Sequence, residues 1–290
     1  MQRSHLPINV RDILSQALAK KSLSIYDLHT HVESADLREP IKRSKYRAII
    51  HERGLTAVVQ TDHNSPPFNF KSRLFIPGIE IGSIQGHINL MGINERYKKL
   101  IEEHYPLEEP SRPTLKRKAI SADQILFDLH EWYGNSPDLP IDVLPHPFQK
   151  GGIFYNKDPI EVIQAFKRKR VPHAEDRTYF IEWTNGYHKS PYCANAERVL
   201  EIAQKKQFDF VLVAGSDSHR SESLGLAGIV VTPGGNSYSF ERAKQALRNR
   251  QHLVYHLSID PDNPDYITLT LTTARGTDRR DFQFVAERTA

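Results

Sequence analysis

Short runs rich in Val, Ile, Phe and Tyr recur along this chain, each separated from the next by an amphipathic stretch, and this alternation constrains the fold most. Strands are predicted over residues 24–28, 56–61, 74–81, 87–93, 141–144, 179–184, 208–214 and 228–231. Helices are predicted between them, over 10–20, 40–53, 121–133, 159–169, 191–206 and 239–249. Pro40, Pro159 and Pro191 suit first-turn positions, and Ser121 with Gln124 resembles a capping box. Repeated strand–helix units predict parallel strands with helices outside, in a barrel or a doubly wound sheet. Two segments break the rhythm. Residues 96–119 are charged and Pro-containing and read as an insertion, and after residue 260 the runs YITLTLTT and DFQFVAE read as a terminal β extension.

A length of 290 residues suits a single α/β barrel domain. The only cysteine, Cys193, excludes an intramolecular disulfide framework and a multi-cysteine zinc cluster, and it is assigned to packing. The net charge of +4 is modest, so the basic runs at 112–118 and 167–170 read as solvated faces rather than an anion or nucleic-acid footprint. The N-terminus lacks the apolar core of a signal peptide, and no stretch approaches the ~20 apolar residues of a membrane span. A soluble, cytoplasmic protein without a membrane partner is expected.

The chemistry sits where predicted strands end. Strand one runs into DLHTH, with His29 and His31; residues two apart on a strand point the same way, so both imidazoles suit one ion. The second ends in TDHN, with Asp62 and His63. The third carries GIE, with Glu80, followed by GHINLMG, with His87. Later ends read LPHPF (His146), FIEWTNG (Glu182 and Asn185) and SDSHR (Asp217, His219 and Arg220). Parallel α/β folds place their sites at the carboxyl ends of strands. A single strand-end histidine is usually structural, but this recurrence on successive strands predicts a metal site. Imidazole and carboxylate without thiolate suit zinc, manganese or iron. More than four ligands require more than one ion, since each takes roughly four to six. A shared carboxylate such as Glu80 suits a bridge between two ions ~3.5–4 Å apart, an arrangement that serves phosphate ester hydrolysis.

These motifs, in order, resemble those of the polymerase and histidinol phosphatase (PHP) superfamily, from about residue 25 to residue 231. The resemblance implies a distorted (β/α)7 TIM-like barrel spanning residues 24–258, which leaves a helical segment at 1–23 and the β extension at 259–290. It implies two to three divalent ions (Mn, Fe or Zn) held by His29, His31, His63, Glu80, His87, His146, Asp217 and His219. Asp36 stands where stand-alone phosphoesterases of the superfamily carry a ligand aspartate, although SADLREP replaces their SDG motif with Leu37 in place of Gly.

Other residues keep more than one reading. Asp62 either orients an imidazole from behind or caps the following helix. Glu182 and Asn185 match a recurrent feature of the superfamily, with Glu182 either a ligand, a residue of the barrel layer, or one that supports the ligands from behind. Arg220 and Lys150 are either phosphate contacts or surface cations, and His188 is read as a loop residue. No nucleophile elbow, P-loop or dinucleotide glycine fingerprint is present, so metal-bound hydroxide rather than a protein nucleophile is the expected attacking group. The expected activity is hydrolysis of a small phosphate mono- or diester. A nuclease, a C–N hydrolase and a metal-stabilised interaction module are the alternatives. A nuclease calls for a basic groove interleaved with aromatics, which the basic runs lack.

Overall fold

The structure, a computed structural model, describes residues 8–32, 43–64, 72–105, 120–133, 136, 139–149, 151–168, 178–185, 198, 200–202, 204–205, 209–232, 240–260, 262–263 and 265–285. An amphipathic helix α1 (Val10–Leu18) opens the described chain, its amino end capped by the Asn9 side chain. It leads into β1 (Ser24–Thr30), buried along its whole length. Helix α2 (Arg43–Glu52) follows, then β2 (Ala57–Gln60), β3 (Phe75–Gly82) and β4 (His87–Met91). Helices α3 (Glu95–His104) and α4 (Ala122–Tyr133) precede β5 (Ile141–Leu144). Helix α5 (Pro159–Arg168) connects to β6 (Tyr179–Asn185), and then come β7 (Phe210–Gly215) and β8 (Ala227–Val231). The chain closes with α6 (Phe240–Arg248) and strands β9 (Leu253–Ile259), β10 (Tyr266–Thr273) and β11 (Arg280–Val285).

One mixed sheet of 11 strands contains them all, in the order β11-β10-β9-β8-β1-β2-β3-β4-β5-β6-β7. The ladder is open, so the closed barrel and the uniformly parallel strands of the sequence reading are corrected. The connections give the reason. Residues 83–86 are too few for a crossover, so β4 turns back antiparallel to β3, and β5 pairs antiparallel to β4 in turn. β8 likewise returns antiparallel to β1, and β9, β10 and β11 continue as antiparallel neighbours. Within the stretch of the sheet from β1 to β7, six strands nonetheless share one direction: β1, β2, β3, β5, β6 and β7. Their carboxyl ends, and the amino end of β4, share one rim. Past the end of β7, Ser218 bridges Thr30 of β1 in parallel, bringing the two ends of this group of strands together at that rim.

Three further differences concern single elements. Part of the expected insertion is helix α3, which buries only Tyr97 and Ile101, one turn apart. Strand β9 lies outside the predicted set, and the sheet extension starts with it. The first amide of α4, Ala122 N–H, donates to Gln85 Oε1 at 2.7 Å, so a side chain of the β3–β4 turn caps this helix beside Ser121. At α5 Pro159 does occupy the first turn, with Asp158 accepting from Ile160 N–H at 2.7 Å. Pro40 and Pro191 lie outside the described residues. No helix among the described residues is long and apolar enough to cross a membrane.

Candidate metal centre

Two of the strands at the rim, β1 and β6, deliver their polar residues at a point where regular pairing gives way. The β1–β2 register shifts between Asp27 and Thr30, and the β6–β7 register shifts between Glu182 and Thr184. Such irregularities re-aim side chains and occur beside functional sites. His146 (φ 29°) and Asp217 (φ 48°) both adopt left-handed backbone conformations that a non-glycine residue takes only when its surroundings hold it there. For Asp217 the holding contacts are Asp217 N–H to His29 O (2.8 Å) and His31 N–H to Ser218 O (3.1 Å).

Glu80 lies at the middle of the cluster, fully buried. Its Oε1 is 3.0 Å from His146 Nε2 and 2.8 Å from His87 Nδ1. Its Oε2 is 2.9 Å from His63 Nδ1, 3.4 Å from His31 Nε2 and 3.5 Å from His29 Nε2. Asp217 Oδ1 stands 3.1 Å from His31 Nε2 and 3.5 Å from both His29 Nε2 and His219 Nδ1. Nitrogen and oxygen atoms of four overlapping triads lie within 4.8 Å of one another: His31, His63 and His219; His29, Glu80 and His146; His29, His31 and Asp217; His63, Glu80 and His87. All eight described residues of the proposed ligand set therefore meet in one place. Asp36 and Lys150 lie outside the described residues, as do His188 and Cys193.

The floor and mouth of the site differ in exposure. His29, His31 and Glu80 are 0–1% exposed, whereas Asp217 (14%), His63 (17%), His87 (25%) and His219 (27%) face the opening. Burial dominates His31, lowering its pKa to about 3 and keeping it neutral. Burial also opposes charging His29, but the carboxylates of Asp217, Glu182 and Glu80 outweigh it and hold its pKa well above the ordinary value. His146 is raised too, its burial overcome by Glu80. Burial alone raises a carboxylate pKa, yet His63, His87 and His29 carry Glu80 well below its usual range, and His29 and His31 do the same for Asp217.

These atoms fit divalent cations better than they fit one another. The Nε2 atoms of His29 and His31 face each other at 3.2 Å, where one proton at most can be shared. Glu80 Oε2 and His87 Nδ1 are buried close to opposite partners, yet neither meets hydrogen-bond geometry. Five imidazoles converging on one buried carboxylate, without thiolate, form a donor set of the kind that suits divalent transition metals.

The contacts of Glu182 and Asp62 bear on their readings. Glu182 is not aimed at the cluster as a ligand would be: Oε1 pairs with His29 Nδ1 at 3.0 Å, and Oε2 accepts from the backbone N–H of His146 at 2.7 Å. This carboxylate fixes the ring of one candidate ligand and the backbone of another. Asp62 Oδ1 accepts from Val32 N–H at 2.7 Å and its Oδ2 accepts from the Gln60 amide, so it braces the segment after His31. The Asn185 backbone ends β6, and Arg220 is exposed in the turn after His219. Asp27 was passed over in the sequence reading although it opens DLHTH. It is fully buried and accepts from three backbone amides; the signal was a carboxylate flanked by Ile25, Tyr26 and Leu28 in a strand candidate.

Fold and cluster together define a mixed α/β protein that gathers histidines and carboxylates at one rim of its sheet. Among solved structures, the chain is similar to a two-domain protein from Bacteroides vulgatus ATCC 8482 that contains a predicted PHP-like metal-dependent phosphoesterase. The similarity has a TM-score of 0.50 at 15% identity and covers 87% of this chain and 76% of that one, which shows a shared fold. No family model matches the sequence, and no curated protein matches it.

Proposed function

We propose that this protein is a metal-dependent phosphoesterase of the PHP superfamily, hydrolysing a small phosphate mono- or diester at the rim cluster. The observation that carries this reading is the convergence of His29, His31, His63, His87, His146, His219, Glu80 and Asp217 on one site, with the triads sharing members. Shared members would hold adjacent ions, Glu80 belonging to two of the triads, and the ligand count favours three ions over two. Mn, Fe and Zn suit this donor set. When bound, such ions supply water activation and neutralise charge developing on phosphorus-bound oxygens. Motif resemblance and shared fold point the same way.

The residues of the chain divide the remaining work. His29, His31, Glu80 and His146 form a rigid buried floor, with Glu182 fixing His29 so that Nε2 faces inward. His63, His87, His219 and Asp217 line the side that solvent reaches, so the phosphate ester enters there. Arg220, exposed in the adjoining turn, serves as a contact for a phosphate oxygen.

A panel of phosphomonoesters, cyclic and linear dinucleotides and single-stranded DNA, assayed with Mn²⁺, tests the reading. Turnover of a small ester, abolished in His31→Ala and Asp217→Ala with the fold retained, is the expected result. Preference for single-stranded DNA would move the assignment to a nuclease. Absence of turnover on every ester by a metal-loaded chain would leave the interaction-module alternative.

A further inference from the structure

Asp27 is a fully buried carboxylate that accepts hydrogen bonds from the backbone of three segments meeting at the rim, and from the Ser216 side chain. Its Oδ1 accepts from Ser216 N–H at 2.8 Å and from His29 N–H at 3.3 Å, and its Oδ2 accepts from Gly225 N–H at 2.7 Å. In sequence, Ser216 and Gly225 bracket the turn that carries Asp217 and His219. Both ends of that turn are therefore tied to one side chain, and the same side chain is tied to the amide of His29. The rest of the turn is pinned from outside. Tyr255 Oη donates to Gly225 O at 3.1 Å, and the Arg53 guanidinium donates to Glu222 O at 2.9 Å and to Leu224 O.

The arrangement matters because Asp217 sits at φ 48°, a conformation that persists only where neighbouring structure over-determines it. A carboxylate is the one side chain of this size that offers acceptors on both oxygens and no competing donor. Asparagine at position 27 would set an NH2 against one of the three N–H groups. From this geometry we infer that Asp27 is a positioning residue, locking the Asp217–His219 turn against His29 so that the candidate ligands from β1 and β7 meet at one place. The inference rests on the metal-centre reading above and goes beyond it, since Asp27 touches none of the ligand atoms.

The test titrates Mn²⁺ into the full-length protein, wild type against Asp27→Asn, and records the visible spectrum of the Co²⁺-loaded forms and the thermal midpoint. Asp27→Asn is expected to bind Mn²⁺ about 10- to 100-fold more weakly, as loss of supporting partners does elsewhere, and to shift the Co²⁺ bands. Tyr105→Phe, which removes a hydrogen bond to Asp128 in the α3–α4 region, is expected to lower the midpoint with affinity and spectrum unchanged. Wild-type affinity and spectrum in Asp27→Asn would overturn the inference even if stability fell. Failure of the wild type itself to bind Mn²⁺ or Co²⁺ would overturn the metal-centre reading first. Should Asp27→Asn not fold, Tyr255→Phe removes only the hydroxyl on Gly225 O; about 2- to 12-fold weaker Mn²⁺ binding is expected, and unchanged binding counts against the proposal.

Discussion

Glu182→Gln isolates the coupling between the carboxylate behind the site and the imidazole in front of it. The substitution keeps shape and volume but exchanges one acceptor oxygen for an NH2 donor. Glu182 now accepts from His29 Nδ1 at 3.0 Å and from His146 N–H at 2.7 Å. Gln satisfies only one of them, whichever way its amide turns. A buried donor left unpaired costs about 1–3 kcal/mol. Loss of a supporting carboxylate typically lowers metal affinity about 10- to 100-fold, which corresponds to about 1.4–2.8 kcal/mol. The two magnitudes agree, so most of the penalty should appear in metal binding once His29 is free to rotate. Competition with a chromophoric chelator measures that affinity directly, alongside the thermal midpoint. An affinity within twofold of wild type would refute the claim that Glu182 orients His29 for a metal.

Two further outcomes follow from the geometry. A Cβ at Gly215 would lie 2.3 Å from His29 Cβ and 2.4 Å from its backbone N, so Gly215→Ala must force β7 away from β1; a stability loss of about 3 kcal/mol in denaturant unfolding and loss of bound metal are expected. In the metal-free protein, the raised pKa of His29 keeps it protonated at pH 7; that contribution to stability is fully present below the ordinary histidine pKa and is lost as pH rises. His31, lowered to about 3, is already neutral there, and Glu80 and Asp217 are already ionised. Metal loading should therefore release protons from His29 and from His146, whose pKa values are both raised, and tighten as pH rises. Calorimetry in two buffers of different ionisation enthalpy reads this, and a binding heat independent of buffer would contradict it.

The eight strands read from the sequence all exist near their expected positions, because buried runs of β-branched and aromatic residues announce themselves without help from neighbours. Strand direction did not. Whether β4 turns back depends on the four residues at 83–86, a connection length that matters only once pairing is known. Helix α3 was hidden because its charged surface leaves a stripe of just Tyr97 and Ile101. Strand β9 shows neither clean alternation nor a continuous apolar run, its exposure following no period of two. The candidate site was more legible than the fold, since strand-end His, Asp and Glu mark the rim whichever way the sheet closes. Asp27 and the true partners of Glu182 and Asp62 escaped because their roles rest on backbone amides, or on a ring, brought near from elsewhere in the chain.

The proposed function makes catalysis dependent on divalent ions held by the rim cluster. It is tested most directly by stripping purified protein with a chelator, restoring Mn²⁺ stepwise, and following hydrolysis of a generic aryl phosphate against metal content. Activity is expected to vanish on stripping and to return as about two to three equivalents are bound. A metal-free chain that retains full activity would contradict it.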